Sequence, residues 1–132
     1  MSENSIPKNG AVCWRELATT DRPGAETFYK EMFGWELKPS KIPNIDYTEI
    51  FIGGVPSGGM ITMDEKWGAE LPPPHWVTYL SVDNIEETSQ KITANGGTIC
   101  GEPFDVEGVG RIAMVQDPCG TYFAILQIQM PG

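Results

Sequence analysis

The sequence predicts an α+β fold built from two βαβββ modules in one chain, and three observations predict it. A strand, a helix and three short strands follow one another from residue 11 to 63, and the same order restarts near residue 76 and runs to 128, an offset of about sixty residues. A proline-rich stretch, 64–74, with the triplet Pro72-Pro73-Pro74, separates the two runs. Successive prolines favour an extended polyproline conformation and donate no backbone hydrogen bond, so this stretch reads as a linker. The chain closes on a hairpin over 108–127, whose strand-like runs 112–115 and 122–126 flank Asp117-Pro118-Cys119-Gly120. Asp at the first position bonds its own backbone, Pro at the second presets φ, and Gly at the fourth accepts the exit geometry.

Residues 11–19 read as a strand with Trp14, Glu16 and Ala18 on one face and Cys13, Arg15 and Leu17 on the other. Asp21 caps the helix that follows, and Pro23 sits where the first turn tolerates it. Ala25, Phe28, Tyr29, Met32 and Phe33 recur at the spacing of one buried helical face, and Gly34 ends the helix. Strands follow near 35–38, 47–52 and 59–63, separated by turns containing Pro and Gly. In the second run, 76–82 is strand-like, Asn84 caps a helix with Glu86 and Glu87 in its first turn, and Gly96-Gly97 stop it. Strands near 98–104, 111–115 and 122–128 complete the module. One such module cannot cover both faces of its own sheet, so two pack together and enclose a cavity.

At 132 residues the chain buries roughly two-thirds of its unfolded surface without a covalent staple. Hydrophobic content of 40% with 20% charged residues describes a globular chain, and no apolar stretch approaches the ~20 residues that span a bilayer. The stretch from Met1 to Lys8 lacks the basic start and apolar core of a signal peptide, so the expected location is cytoplasmic. Net charge of −9 and a pI near 4.4 disfavour nucleic acid and anionic membrane as partners, and leave a cationic ligand open. Cys13, Cys100 and Cys119 are odd in number and far apart, which argues against a disulfide framework or a thiolate metal site.

Several of these residues together resemble the glyoxalase/bleomycin-resistance/dioxygenase superfamily, the vicinal oxygen chelate proteins. The resemblance is carried by the segment from Trp14 to Asp21, by Ala25 to Trp35 with its F-Y-x-x-x-F-G-W ending, by Val82-Asp83-Asn84-Ile85, and by Gly108-Val109-Gly110-Arg111 with Asp117-Pro118-Cys119-Gly120. It implies a single glyoxalase-like domain over 1–132, with an N-terminal module at about 9–63, the linker at 64–74 and a C-terminal module at about 75–130, forming a cup-shaped, partly open β-barrel with helices outside. It also implies a homodimer. Catalytic relatives hold one divalent metal with His, Glu or Gln at four strand positions. Here the first position, seven residues before Asp21, holds Trp14. The second falls on Val77, or on Trp76 if the register slips by one. The position four after the turn glycine is Ala124, and the remaining one, near 59–63, offers Met60 or Thr62. None matches a ligand, so the expected cofactor is none, with a divalent metal left open and His75, the one histidine, its only candidate ligand.

Glu16 is the candidate catalytic carboxylate. It shares a strand face with Trp14, and burial against Trp14 and Tyr79 would raise its pKa and suit a general base or a ligand anchor. The alternative is a salt bridge to Arg15, Arg111 or a lysine on a neighbouring strand, or simple exposure. Trp14, Glu16, Tyr79 and Tyr122 are the expected ligand-binding residues, with Trp67 a further flat surface for planar or cationic molecules. Gly108 and Gly110 precede no strand-to-helix junction, so they do not mark a phosphate site. Ser and Cys nucleophiles lack a paired base. The expected function is a metal-free binder of an aromatic or cationic small molecule. The alternatives are a lyase or dioxygenase-type enzyme with an atypical metal site or a metal-independent mechanism using Glu16, and a domain serving protein interaction alone.

Overall fold

The computed structural model describes residues 7–41, 46–106 and 108–129. Residues 1–6, read above for targeting, and residue 130, the expected end of the second module, lie outside them. Among the described residues the elements follow in the predicted order: β1 (Val12–Thr19), α1 (Arg22–Phe33), β2 (Glu36–Pro39), β3 (Tyr47–Ile52), β4 (Val55–Thr62), β5 (His75–Ser81), α2 (Ile85–Ala94), β6 (Thr98–Val106), β7 (Gly110–Gln116) and β8 (Tyr122–Ile128). Within the linker, Glu65–Trp67 form a single 3-10 turn. The chain groups into two compact units, Trp14–Val77 on one side and 7–13 with the residues from Thr78 onward on the other.

In the first unit the strand order is β2-β3-β4-β1, antiparallel at the first two joins and parallel where β4 meets β1. The second unit repeats this as β6-β7-β8-β5, with the parallel join between β8 and β5. The sequence repeat is therefore a repeat of topology, and the α+β class with two βαβββ modules is the observed one.

Each helix seals one face of its own sheet. Leu17, Ile50 and Met60 form a buried cluster against which Ala25, Tyr29, Trp35 and Leu37 pack. Val82, Ile85, Ala113, Val115 and Ile125 do the same in the second unit, with Ile92, Ile99 and Phe123 around them. Burying an aliphatic side chain of this size stabilises by about 1.5–3 kcal/mol. Side chains alternate along a strand, so this choice of face assigns the rest. Trp14, Glu16, Tyr47, Glu49, Gly59 and Ile61 occupy the open face of the first sheet. Tyr79, Met114, Gln116, Tyr122 and Ala124 occupy that of the second.

Local chemistry fixes the element ends. Asp21 accepts from the Gly24 amide at 3.0 Å, and Asn84 from the Glu87 amide at 2.9 Å, each satisfying an orphan donor of its helix. Gly34, at φ +67, closes α1 with its amide on the Lys30 carbonyl. The second helix ends one residue earlier than its glycines, with Asn95 as its cap. Asp117 Oδ1 accepts from the amides of Cys119 and Thr121 at 2.8 and 3.0 Å, the self-bonding that its turn position predicts. Gly53 and Gly54, both at positive φ, make a two-residue hairpin turn, so β4 starts at Val55 instead of 59.

One expectation fails on α1. Phe28, Met32 and Phe33 are 55%, 58% and 63% exposed, and no residue of the helix is buried. Tyr29 stacks on Trp35 with ring centroids 5.0 Å apart and meets Trp76 edge-on at 5.6 Å. Ala25 and Tyr29 pack against the sheet's buried cluster, while Phe28 and Phe33 flank this aromatic layer, Phe33 5.6 Å from Trp35, and stay largely exposed.

Gly110 sits at φ +145, and a Cβ there would meet the Gln127 carbonyl oxygen at 2.1 Å. Gly110→Ala is therefore expected to destabilise by about 2 kcal/mol or more. Gly101→Ala, at φ +87 with nothing within 4 Å, should cost about 1 kcal/mol. Urea unfolding of the two variants measures the difference.

Candidate functional site

The first unit's open face is built around a glycine. Register places Gly59 of β4 beside Glu16 of β1 on one side and Glu49 of β3 on the other. A Cβ at Gly59 would lie 2.0 Å from Tyr47 Oη and 2.1 Å from its Cζ, so the phenol end of Tyr47 lies directly over the glycine. There Tyr47 Oη accepts a 2.8 Å hydrogen bond from Trp14 Nε1. Trp14, Glu16, Tyr47 and Glu49 are all half-buried. Farther along the same face, Lys38 Nζ lies 5.0 Å from the Phe51 ring centroid and 3.5 Å from Glu36 Oε2.

On the second unit's open face, Tyr79 is buried and pairs in register with Ala124, which Met114 flanks on its other side. Tyr122 shares that face beside Gln116 but is 60% exposed. Arg111, weighed as a partner for Glu16, is engaged by Glu86 and by Asp105, the latter at 3.2 Å. The three cysteines are free, and burial pushes the Cys13 thiol above the ordinary thiol range.

Thus Trp14 and Glu16 share one open face and Tyr79 and Tyr122 the other. Trp67 closes the linker turn and is 41% exposed. His75 opens β5 with Nδ1 2.7 Å from the Pro73 carbonyl oxygen. A carbonyl only accepts, so Nδ1 carries the hydrogen.

The donor set does not fit a divalent metal. Trp14 offers an indole N–H, which has no lone pair to give and is already bonded to Tyr47. Val77 and Ala124 are buried hydrocarbon. Met60 and Thr62 lie in register with Leu17 and Thr19, on the helix side of the first sheet, so the expectation for β4 is corrected: its open-face residues are Gly59 and Ile61. Among the described residues no three His, Cys, Asp or Glu side chains converge.

Sequence reading missed Tyr47, Glu49 and Phe51. Their signal was the alternation of 47, 49 and 51 along β3, opposite a strand carrying Gly58-Gly59. A cavity of about 270 Å³ also opens beside α1, lined by Arg22, Glu26, Lys38, Asp46, Tyr47 and Thr48 among others. Several of its polar groups pair: Arg22 donates to Asp46 at 2.7 Å and Thr48 to Glu26 at 2.6 Å, while the buried Arg22 Nε, 3.4 Å from Glu26 Oε2, makes no hydrogen bond among the described residues.

A two-unit βαβββ fold with a sealed and an open face in each unit defines the class, and a family comparison agrees. Residues 13–125 match the Glyoxalase/Bleomycin resistance protein/Dioxygenase superfamily, and the chain belongs to that superfamily. It is 30% identical over 129 residues to CFP32 of Mycobacterium bovis, covering 96% of this chain and 49% of that protein. The chain thus spans about half the length of that relative. It is 33% identical over 112 residues to the lactoylglutathione lyase of Escherichia coli O157:H7, covering 80% of this chain and 83% of that enzyme. Among solved structures, methylmalonyl-CoA epimerase from Mycobacterium tuberculosis shares the fold with a TM-score of 0.66 at 15% identity, covering 96% of this chain and 95% of that one.

If the Trp14–Tyr47 bond holds the open face together, Tyr47→Phe and Trp14→Phe should couple. A double-mutant cycle by chemical unfolding is expected to give an interaction energy of about 0.5–1.5 kcal/mol, and additive losses would show that the bond contributes nothing.

Proposed function

We propose that this chain is a small-molecule-binding protein of the glyoxalase and bleomycin-resistance type that works without the divalent metal of its catalytic relatives. The proposed ligand is an aromatic or cationic molecule, and the candidate contacts are Trp14 and Glu16 on the open face of the first unit and Tyr79 and Tyr122 on that of the second. The observation that carries this reading is the donor set: indole, isopropyl and methyl groups stand where chelating relatives carry His, Gln or Glu. Half-buried aromatic rings and carboxylates on an open sheet face support a ligand of planar or positively charged chemistry. The reading includes a cytoplasmic location and association of two chains. No helix among the described residues is long and apolar enough to cross a membrane.

A second reading is favoured by the 33% identity to a lactoylglutathione lyase. In it the chain is a lyase or oxygenase whose metal site is atypical or whose base is Glu16. His75 is the remaining candidate ligand in that case.

Two measurements separate these readings. Elemental analysis of the purified protein is expected to find no stoichiometric Fe, Ni, Mn or Zn, and one ion per chain or per pair of chains would overturn the metal-free reading. Thermal unfolding is expected to be blind to divalent metals and to rise with particular planar or cationic molecules, because a ligand of the native state raises its melting temperature. A response to metal alone favours the enzyme, as does turnover that Glu16→Gln abolishes. Sedimentation equilibrium is expected to give the mass of two chains.

A further inference from the structure

Four charged or aromatic groups stand in a single row across the first unit's open face. Lys38 of β2 is the register partner of Glu49 of β3, Glu49 of Gly59 of β4, and Gly59 of Glu16 of β1. Strands lie about 4.8 Å apart, so Glu16 and Glu49 spring from backbone positions about 10 Å apart. Between them β4 contributes no side chain, and the vacant place is taken by the phenol end of Tyr47, held by Trp14. The Tyr47 phenol thus lies over Gly59, between the strands that carry the half-buried Glu16 and Glu49.

We infer that this ring and its two flanking carboxylates form a binding site for a monovalent organic cation carried on a planar framework. The inference rests on the reading that this open face holds the ligand, and it names the charge of that ligand and adds Tyr47 and Glu49 to its contacts. Three observations support it. Among the described residues no hydrogen bond or ion pair engages the Glu49 carboxylate, although it is half-buried on a structured strand. Lys38, the one cation of the row, is drawn to the outer side, toward Glu36 and the Phe51 ring. That Lys38–Phe51 contact is itself an ammonium resting on an aromatic ring of this same face, the interaction that an incoming cation would make with Tyr47. A metal ion does not fit, because the two glutamates spring from strands on opposite sides of β4 and no three His, Cys, Asp or Glu side chains converge among the described residues.

The chemistry recognised is positive charge delocalised on, or attached to, a flat ring. The ring face attracts the charge through its quadrupole, and the carboxylates add directional attraction in a partly desolvated setting. A neutral ligand of the same shape keeps the stacking and loses the charge contribution. An anion of similar shape meets two carboxylates and is rejected.

The test uses three probes of similar shape on the full chain at pH 8: N-methylquinolinium, neutral quinoline and naphthalene-2-sulfonate. Binding is followed by tryptophan fluorescence and checked by calorimetry. N-methylquinolinium is expected to bind at least tenfold tighter than quinoline, with naphthalene-2-sulfonate weakest. Glu49→Gln is expected to reduce the cation-to-neutral ratio severalfold while quinoline affinity stays within twofold, and Glu16→Gln to do the same. Thermal unfolding of both variants verifies that they fold, and Glu49→Gln, a half-exposed isosteric change, keeps the test valid should Glu16→Gln destabilise the chain. Equal binding of cation and neutral probe overturns the inference while leaving the face a ligand site. A ratio unchanged in both variants overturns the roles of the two carboxylates. Binding of none of the three probes overturns the inference, and the broader thermal-unfolding panel decides separately whether the binder reading stands.

Discussion

The open face of the N-terminal sheet depends on the side chain that Gly59 does not have. Any Cβ at that position would occupy the space of the Tyr47 phenol and displace it. The Trp14 indole N–H would then lose its acceptor, and a half-buried donor left without a partner costs about 1–3 kcal/mol. The neighbouring Gly58 serves the opposite side of the strand, where a Cβ would meet the Arg15 carbonyl oxygen at 2.3 Å. One glycine of the pair lets β1 and β4 approach, and the other gives Tyr47 its seat.

Each sheet divides its labour between faces. The helix side carries the apolar clusters of Leu17, Ile50 and Met60 and of Val82, Ile85, Ala113, Val115 and Ile125. The other faces carry half-buried Glu16, Glu49, Trp14 and Tyr47 in one unit, and buried Tyr79 with Gln116 and exposed Tyr122 in the other.

Elements set by local chemistry were legible in the sequence. Asp21, Asn84, Gly34 and Asp117 act within a few residues of themselves, and the structure shows each in its predicted role. The repeat was legible because element order survives where side-chain identity does not. What escaped reading depends on contacts between strands distant in sequence. Alternation along β4 says that Gly59 and Met60 point opposite ways, but only the pairing with β1 says which of them meets the helix. The exposure of Phe28, Met32 and Phe33 likewise follows from the stacking of Tyr29 on Trp35, which helical spacing alone does not encode. Tyr47 was missed for the same reason, since its importance comes from a glycine twelve residues away on the next strand.

An indole at Trp14, where the family resemblance implies a metal ligand, bears on more than metal affinity. An imidazole lends a lone pair to a cation, whereas an indole only donates a hydrogen, here to the oxygen of Tyr47. A resident divalent ion would make its surroundings positive and favour ligands that present oxygen atoms to it. On the N-terminal open face, Glu16 and Glu49 flank Gly59 in register, so the carboxylates nearest that glycine carry negative charge. On the proposed reading, a face with this charge favours ligands of the opposite sign, and the indole at Trp14 contributes by holding the Tyr47 oxygen in place.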